Sequence, residues 1–93
     1  MRRFSITYTD SYNRRASKFF KRHPTLLSQY EKALSLLELD PFHPSLRLHK
    51  LEGRMSDLHS ISINLSYRVV IHFLIADDVI IPVDIGDHDK VYR

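Results

Sequence analysis

The chain has 93 residues and no cysteine, so we expect one domain with one modest core, without disulfides, thiolate nucleophiles or cysteine-based zinc sites. Residues 1–54 hold eleven basic and five acidic residues, whereas residues 55–93 hold three and six, so the first part favours a polyanion such as RNA, or an acidic protein, as its partner. No run approaches the roughly 18 apolar residues of a membrane span, and no apolar signal region opens the chain, so we expect a soluble protein of the cytoplasm.

The first half of the chain predicts one strand and two helices. Residues 4–9 alternate apolar and polar side chains, which is typical of a strand. Asp10 or Ser11 can cap a first helix that ends before Pro24, and a second helix begins at Pro24 or Thr25. Their apolar stripes are Tyr12, Ala16, Phe19 and Phe20, then Leu26, Leu27, Tyr30, Ala33, Leu34 and Leu37.

The second half predicts a three-stranded antiparallel meander. Two prolines in residues 40–45 end the helix, and residues 46–53 follow as an extended or loop segment. The predicted strands are residues 58–65, 67–75 and 79–85, with turns at 64–66 and 77–78. Residues 1–93 therefore predict a single α+β domain, with two helices packed on one face of an antiparallel sheet.

Strand parity divides the predicted sheet into a core face and a polar face, because successive side chains point to opposite sides. The core face, beneath the helices, is predicted to carry Ile61, Ile63, Leu65, Tyr67, Val69, Ile71 and Phe73. The opposite face is predicted to carry Ser60, Ser62, Asn64, Arg68 and His72. One fixed cation, Arg68, near the middle of a polar face indicates the floor of a phosphate-binding cleft.

Three of the six histidines have a structural interpretation. His23 precedes a proline at a helix end, His43 lies between two prolines, and His59 is predicted to be half-buried at the start of a strand. No two histidines have the i, i+4 spacing of a helical zinc site, so no metal site is predicted.

Three segments carry side chains suited to chemistry on a phosphate: residues 48–53, 67–70 and 86–92. Imidazole titrates near neutral pH, and a phenol can stack on a base or donate a hydrogen bond. In this order, and within a strand–helix–helix–meander frame, they resemble the RelE/ParE superfamily of type II toxins, especially its RelE-like and YafQ-like ribonucleases. The phrase Asp-Pro-Phe-His-Pro-Ser-Leu at residues 40–46 is also typical of that family, so the resemblance covers essentially the whole chain.

The resemblance implies a toxin that cleaves messenger RNA on the ribosome without a metal or other cofactor. In such enzymes a base removes the proton of a ribose 2′-hydroxyl, which attacks the neighbouring phosphate. An acid then protonates the departing 5′-oxygen, leaving a 2′,3′-cyclic phosphate. The implied partners are ribosome-bound messenger RNA and a small, acidic or amphipathic antitoxin. DNA would be reached only through the antitoxin, and no membrane is involved.

The family motifs assign roles to residues of this chain one at a time. His49 and His88 share the base and acid roles, with His49 as the base. Arg68 clamps the phosphate, and Tyr92 stacks on the substrate base or replaces a histidine as proton donor. The residues expected to contact RNA are Lys50, Arg54, Ser62, His72 and Lys90.

Two features depart from the YafQ-like pattern and leave alternatives open. Ser62 and Ser66 stand where that branch has a histidine and an aspartate, and three aspartates crowd His88. These carboxylates either repel RNA phosphate or hold His88 as imidazolium. They are Asp84, Asp87 and Asp89. The alternatives are a ParE-like toxin that poisons gyrase without chemistry of its own, and an inactive module that binds antitoxin and regulates its own transcription.

Overall fold

The structure, a computed structural model, describes residues 3–53 and 57–87. Within these residues five strands form one sheet in the order β1-β5-β4-β3-β2. The strands are β1 (Ser5–Ile6), β2 (His49–Lys50), β3 (His59–Ser62), β4 (Tyr67–Leu74) and β5 (Val79–Asp87). The α+β class and the meander of the last three strands are confirmed. The sheet is mixed, however, because β1 pairs with β5 in parallel and every other pair is antiparallel.

The helix α1 spans Asp10–Arg22 and is capped by Thr9, one residue before the predicted caps. Thr9 has an extended backbone, and its Oγ1 accepts a hydrogen bond from the backbone N–H of Tyr12 at 3.1 Å. This bond satisfies one of the N–H groups that a helix leaves without an internal partner. The strand predicted for residues 4–9 is therefore cut to the two residues of β1.

The second helix, α2, spans Leu27–Leu39 and begins later than predicted. A 3₁₀ turn, Pro24–Leu26, connects it to α1. This turn changes the direction of the chain before the helix starts, so Leu27 is 43% exposed and does not belong to the buried stripe. Leu26 lies in the 3₁₀ turn and is half-buried, whereas Tyr30, Ala33, Leu34 and Leu37 are buried as predicted.

The core lies between the two helices and one face of the sheet. Tyr12 and Leu37 pack there with Val69, Ile71 and other buried side chains of the sheet. The hydroxyls of Tyr12 and Tyr30 are 2.8 Å apart and hydrogen-bonded, so the core accommodates both without leaving a phenol unpaired. Burial, with the nearby Tyr30, raises the pKa of Tyr12 far above its ordinary value.

The strand β3 ends at Ser62, three residues earlier than predicted, because a turn intervenes. The side-chain oxygen of Asn64 accepts from the backbone N–H groups of Ser66 and Tyr67 at 2.8 and 3.0 Å. Such a side chain–backbone turn is a common role of asparagine. The chain reverses before Leu65 can reach the core, and Leu65 is 75% exposed. Its predicted core position was wrong.

The segment predicted as extended or loop contains β2, which pairs with β3. The ladder continues to Leu51, whose backbone N–H donates to the carbonyl of Leu58 at 2.9 Å. Leu51, Leu58 and Val83 pack with Val70 on the face of the sheet opposite the helices, called the helix-free face below. The sequence predicted a polar face here, but this apolar cluster shows that the face is only partly polar. No helix in the described part of the chain has the length and apolar character for a membrane crossing.

Candidate functional site

Arg68 lies on the helix-free face and is only 6% exposed. Its Nε donates to Ser60 Oγ at 3.2 Å, and its Nη2 donates to the backbone carbonyl of Arg47 at 3.0 Å. Both acceptors are uncharged oxygens, and together these bonds fix the plane of the guanidinium. The sequence predicted the face on which Arg68 lies but not its burial.

The carbonyl of Arg47 reaches Arg68 because the chain turns sharply before β2. A 3₁₀ turn, Pro44–Leu46, ends at Arg47, which has a left-handed backbone with φ of 49°. A residue other than glycine adopts this conformation at a cost of roughly 1–2 kcal/mol. His43 stabilises the turn, since its Nδ1 accepts from the backbone N–H of Ser45 at 3.2 Å. The proline-containing motif thus positions a hydrogen-bond acceptor for the buried cation.

His49 reaches the same face through strand register. Its Cα partner is Ser60 of β3, and paired residues of neighbouring strands project to the same side of a sheet. His49 is exposed, whereas Ser60 is fully buried beneath that face. The structure therefore brings together an accessible imidazole, a buried hydroxyl and a fixed guanidinium from three adjacent strands.

Lys50 projects to the other side of β2 from His49. It pairs with His59, whose ring packs edge-on against Phe73 of the core at a centroid distance of 5.7 Å. Burial, with the nearby Lys50 and His49, lowers the pKa of His59. His59 is half-buried as predicted, and Lys50 does not share a face with Arg68.

Two other predicted RNA contacts lie at different depths. Ser62 is buried, and its Oγ donates to the backbone carbonyl of Asn64 at 2.6 Å, so this hydroxyl serves the turn. His72 is half-buried, and strand parity places it on the helix-free face beyond Val70.

The predicted residues Arg54, His88, Lys90 and Tyr92 lie outside the described residues. The strand that leads to the last three is described as far as Asp87. Gly86 is the Cα partner of Arg68, and Asp87 is the partner of Tyr67. The end of β5 therefore lies directly beside the start of β4, next to the buried cation.

A concave groove with a volume of about 440 Å³ lies between α1 and the paired ends of β4 and β5. We call it the α1 groove. Its polar walls include Arg15, Lys18, Arg22, His23, Tyr67 and Asp87. Sequence reasoning did not identify this groove, although the i, i+3, i+7 spacing of its three cations on one helix was a usable signal. His23, interpreted as structural from the sequence, contributes to its wall.

Asp84, expected to crowd His88, lies near a cation of α1. Its Oδ1 is 3.5 Å from Nη1 of Arg15, and both side chains are about half exposed. An ion pair at this exposure contributes roughly 0–1 kcal/mol. Asp84 therefore offsets part of the charge of Arg15.

No protein-family model and no curated protein sequence matches this chain. Solved structures do match along almost its full length. YafQ from Escherichia coli aligns with a TM-score of 0.77 at 11% identity, over 97% of this chain and 99% of YafQ. One chain of the toxin–antitoxin complex RelBE2 of Mycobacterium tuberculosis aligns with a TM-score of 0.69 at 13% identity, over 92% of this chain and 99% of that chain. A YoeB/ParE toxin from Agrobacterium tumefaciens aligns with a TM-score of 0.71 at 16% identity, over 91% of this chain and 99% of the toxin chain. The chain therefore has the RelE-like fold that these solved toxin structures share.

Proposed function

We propose that this protein is the toxin of a type II toxin–antitoxin system and a metal-independent endoribonuclease that cleaves messenger RNA on the ribosome. The fold supports the toxin assignment, since the similar structures are named as toxins or toxin–antitoxin complexes. One observation carries the enzymatic part: the fixed guanidinium of Arg68 lies on the same face of the sheet as the exposed imidazole of His49.

Arg68 suits the stabilisation of charge on a reacting phosphate. A phosphate under attack gains charge on its non-bridging oxygens, and a cation oriented in advance stabilises that charge most effectively. The bonds to Ser60 and Arg47 orient Arg68 before any substrate arrives. Its burial also reduces competition from water for the guanidinium.

His49 is the proposed general base, because its imidazole is accessible and imidazole is the side chain that most often transfers protons in catalysis. It would accept the proton of the 2′-hydroxyl as O2′ attacks phosphorus. The bond from phosphorus to the 5′-oxygen then breaks, and His88 is proposed to give that oxygen its proton. The products are a 2′,3′-cyclic phosphate and a 5′-hydroxyl end. DNA lacks the attacking group, so the reaction is restricted to RNA.

The remaining proposed contacts differ in their support. His72 shares the helix-free face with Arg68 and is the best-placed additional RNA contact among the described residues. Lys50 faces away from it, and the hydroxyl of Ser62 is engaged within the turn, so neither residue is part of the proposed RNA contact. Arg54, Lys90 and the stacking role of Tyr92 remain proposals from the family resemblance.

The proposed partner is an antitoxin with an acidic or amphipathic segment. RelBE2 is a toxin–antitoxin complex with this fold, and the excess of basic residues in 1–54 favours an acidic partner. Through that antitoxin, the complex would bind its own operator DNA in the cytoplasm. The likeness to a YoeB/ParE toxin keeps a gyrase-poisoning role as the second candidate.

Inducing the chain in bacteria without an antitoxin, with primer extension on a reporter message, tests the proposal. His49→Ala is the informative variant because the side chain is exposed and its loss spares the core. Lys50→Ala is the matched control, since it changes the next residue of the same strand on the opposite face.

Cuts at codon positions that vanish in His49→Ala but persist in Lys50→Ala are the expected result. Growth arrest with intact messages would favour gyrase or another bound target. Soluble protein that causes neither growth arrest nor cuts would contradict both toxin functions and favour the inactive module that binds antitoxin.

A further inference from the structure

The α1 groove is a second positively charged site, on the face of the sheet opposite the cation at Arg68. Arg15, Lys18 and Arg22 line its helical wall, and among residues 3–53 and 57–87 only Asp87 adds a carboxylate to the lining. Asp84 offsets part of the charge of Arg15. Within residues 3–53 and 57–87, neither Lys18 nor Arg22 has an acidic partner within 4.0 Å. Two cations of this wall are therefore available to an anionic ligand.

An aromatic cluster lies beside these cations. The ring of His23 is 4.5 Å from Phe19 and 4.9 Å from Tyr67, and Phe19 is 5.5 Å from Tyr67, measured between centroids. All three residues line the groove. A planar base can stack on such a surface, whatever its sequence, because every base has a π-face. Cations next to aromatic rings are the combination that proteins use to bind single-stranded nucleic acid.

The volume and position of the groove narrow the choice of ligand further. About 440 Å³ lies near the lower end of the range of small-ligand pockets, roughly 300–1,000 Å³, and suits one nucleotide. Tyr67 lines the groove and Arg68 follows it in β4, with their side chains on opposite faces of the strand. A single strand crossing this end of the sheet can therefore contact both sites.

We infer that the α1 groove binds one nucleotide of a single-stranded RNA, with its phosphate on Lys18 and Arg22 and its base stacked on Tyr67. This inference rests on the proposed function, because it extends the path of the same RNA beyond the reacting phosphate. An acidic peptide is the competing ligand. The aromatic cluster favours the nucleotide, because a base can stack on an aromatic ring and a carboxylate side chain cannot.

Binding of a fluorescein-labelled 2′-O-methyl hexaribonucleotide to the full chain tests the site without the ribosome. The methyl groups block cleavage, so fluorescence anisotropy reports affinity alone. The variant Lys18→Gln/Arg22→Gln removes the two proposed phosphate contacts. The control Arg14→Gln/Lys21→Gln removes the same charge from exposed positions of the same helix that do not line the groove.

Each phosphate that loses its cations should reduce the magnitude of the slope of log affinity against log salt concentration by about 0.7 for a single strand. Lys18 and Arg22 are proposed to hold one phosphate, so we expect the groove variant to reduce the magnitude of the slope by about 0.7 and the control to leave it nearly unchanged. Equal reductions in both variants would mean that only net charge attracts RNA, and the inference would be overturned. An unchanged slope in the groove variant would overturn it as well.

Substitutions of Tyr67 test the stacking separately. Tyr67→Leu keeps an apolar side chain but removes the π-face, so affinity should fall by roughly tenfold, whereas Tyr67→Phe should keep it. Circular dichroism confirms that both variants fold. Equal affinity of the two variants would overturn the stacking role. A labelled decaglutamate that binds through Lys18 and Arg22 while the oligonucleotide does not would reassign the groove to an acidic peptide.

Cleavage of ribosome-bound message, measured in parallel, separates this inference from the proposed function. If the wild type does not cleave but the groove variants lose oligonucleotide affinity, the nuclease proposal fails and the groove stands. If the wild type cleaves and the groove variants bind and cleave normally, the inference fails and the nuclease proposal stands.

Discussion

Removing the hydroxyl of Ser60 should weaken both the fold and the proposed chemistry. Ser60 is fully buried, and its Oγ accepts from Nε of Arg68 at 3.2 Å. Ser60→Ala removes this acceptor from a charged group in a buried position. Hydrogen bonds to charged groups contribute about 1.5–3 kcal/mol, so the free energy of unfolding should fall by roughly 2 kcal/mol. For a domain of this size, that corresponds to a fall in Tm of about 8–16 °C.

Ser62→Ala is the matched control, because Ser62 is also a buried serine of β3 but bonds to the carbonyl of Asn64. Losing this neutral hydrogen bond should cost about 1 kcal/mol. Thermal unfolding measures both changes. Message cleavage at a temperature where both variants are folded should fall only in Ser60→Ala, because only that substitution frees the guanidinium to change its orientation.

A double-mutant cycle with Arg68→Met isolates the interaction between Ser60 and Arg68. Methionine keeps an apolar stem of similar length and removes the buried charge. In that background Ser60→Ala should cost at least about 1 kcal/mol less than in the wild type. Equal costs in the two backgrounds, together with unchanged cleavage by Ser60→Ala, would refute the view that Ser60 positions Arg68.

Further measurements test the structure elsewhere. Thr9→Ala should lower the free energy of unfolding by about 1 kcal/mol, and Asp10→Ala by less, because Thr9 makes the capping bond; urea unfolding measures both. The raised pKa of Tyr12 (ordinary value 10.0) stabilises the fold fully below pH 10, and this contribution should be lost as the pH rises above it; Tyr12→Phe/Tyr30→Phe should flatten unfolding profiles there. The lowered pKa of His59 (ordinary value 6.5) implies stability that is complete above about pH 6.5 and lost as the pH falls. His59→Phe should remove that acid-side slope, and an unaltered slope would contradict burial as its cause.

Periodicity predicted most of the core because it reports which side of an element a residue occupies. It therefore placed Tyr12, Leu37 and Val69 correctly. It does not report where an element stops. Leu65 has the parity of a core residue but lies in a turn made by Asn64, so it is exposed.

The candidate site was predictable only in part, for a related reason. Parity placed Arg68 on the helix-free face, but its burial depends on a carbonyl at Arg47, distant in the sequence. The two-residue strand β2 has too few residues for a pattern of its own and exists through its pairing with β3. The α1 groove combines residues of one helix with the ends of two strands, and only the tertiary fold brings them together.

The bond between Arg68 and the carbonyl of Arg47 has a consequence for how this site tolerates sequence change. A backbone oxygen is present whatever side chain the residue carries, so substitution at Arg47 cannot delete the acceptor. It can only alter how readily the chain adopts a φ of 49°, and glycine or asparagine adopts that conformation more easily than arginine. Arg47→Gly is thus compatible with an intact site. Sequence drift in this turn can be extensive while the orientation of the guanidinium persists, and identity alone would underestimate how well the geometry is retained.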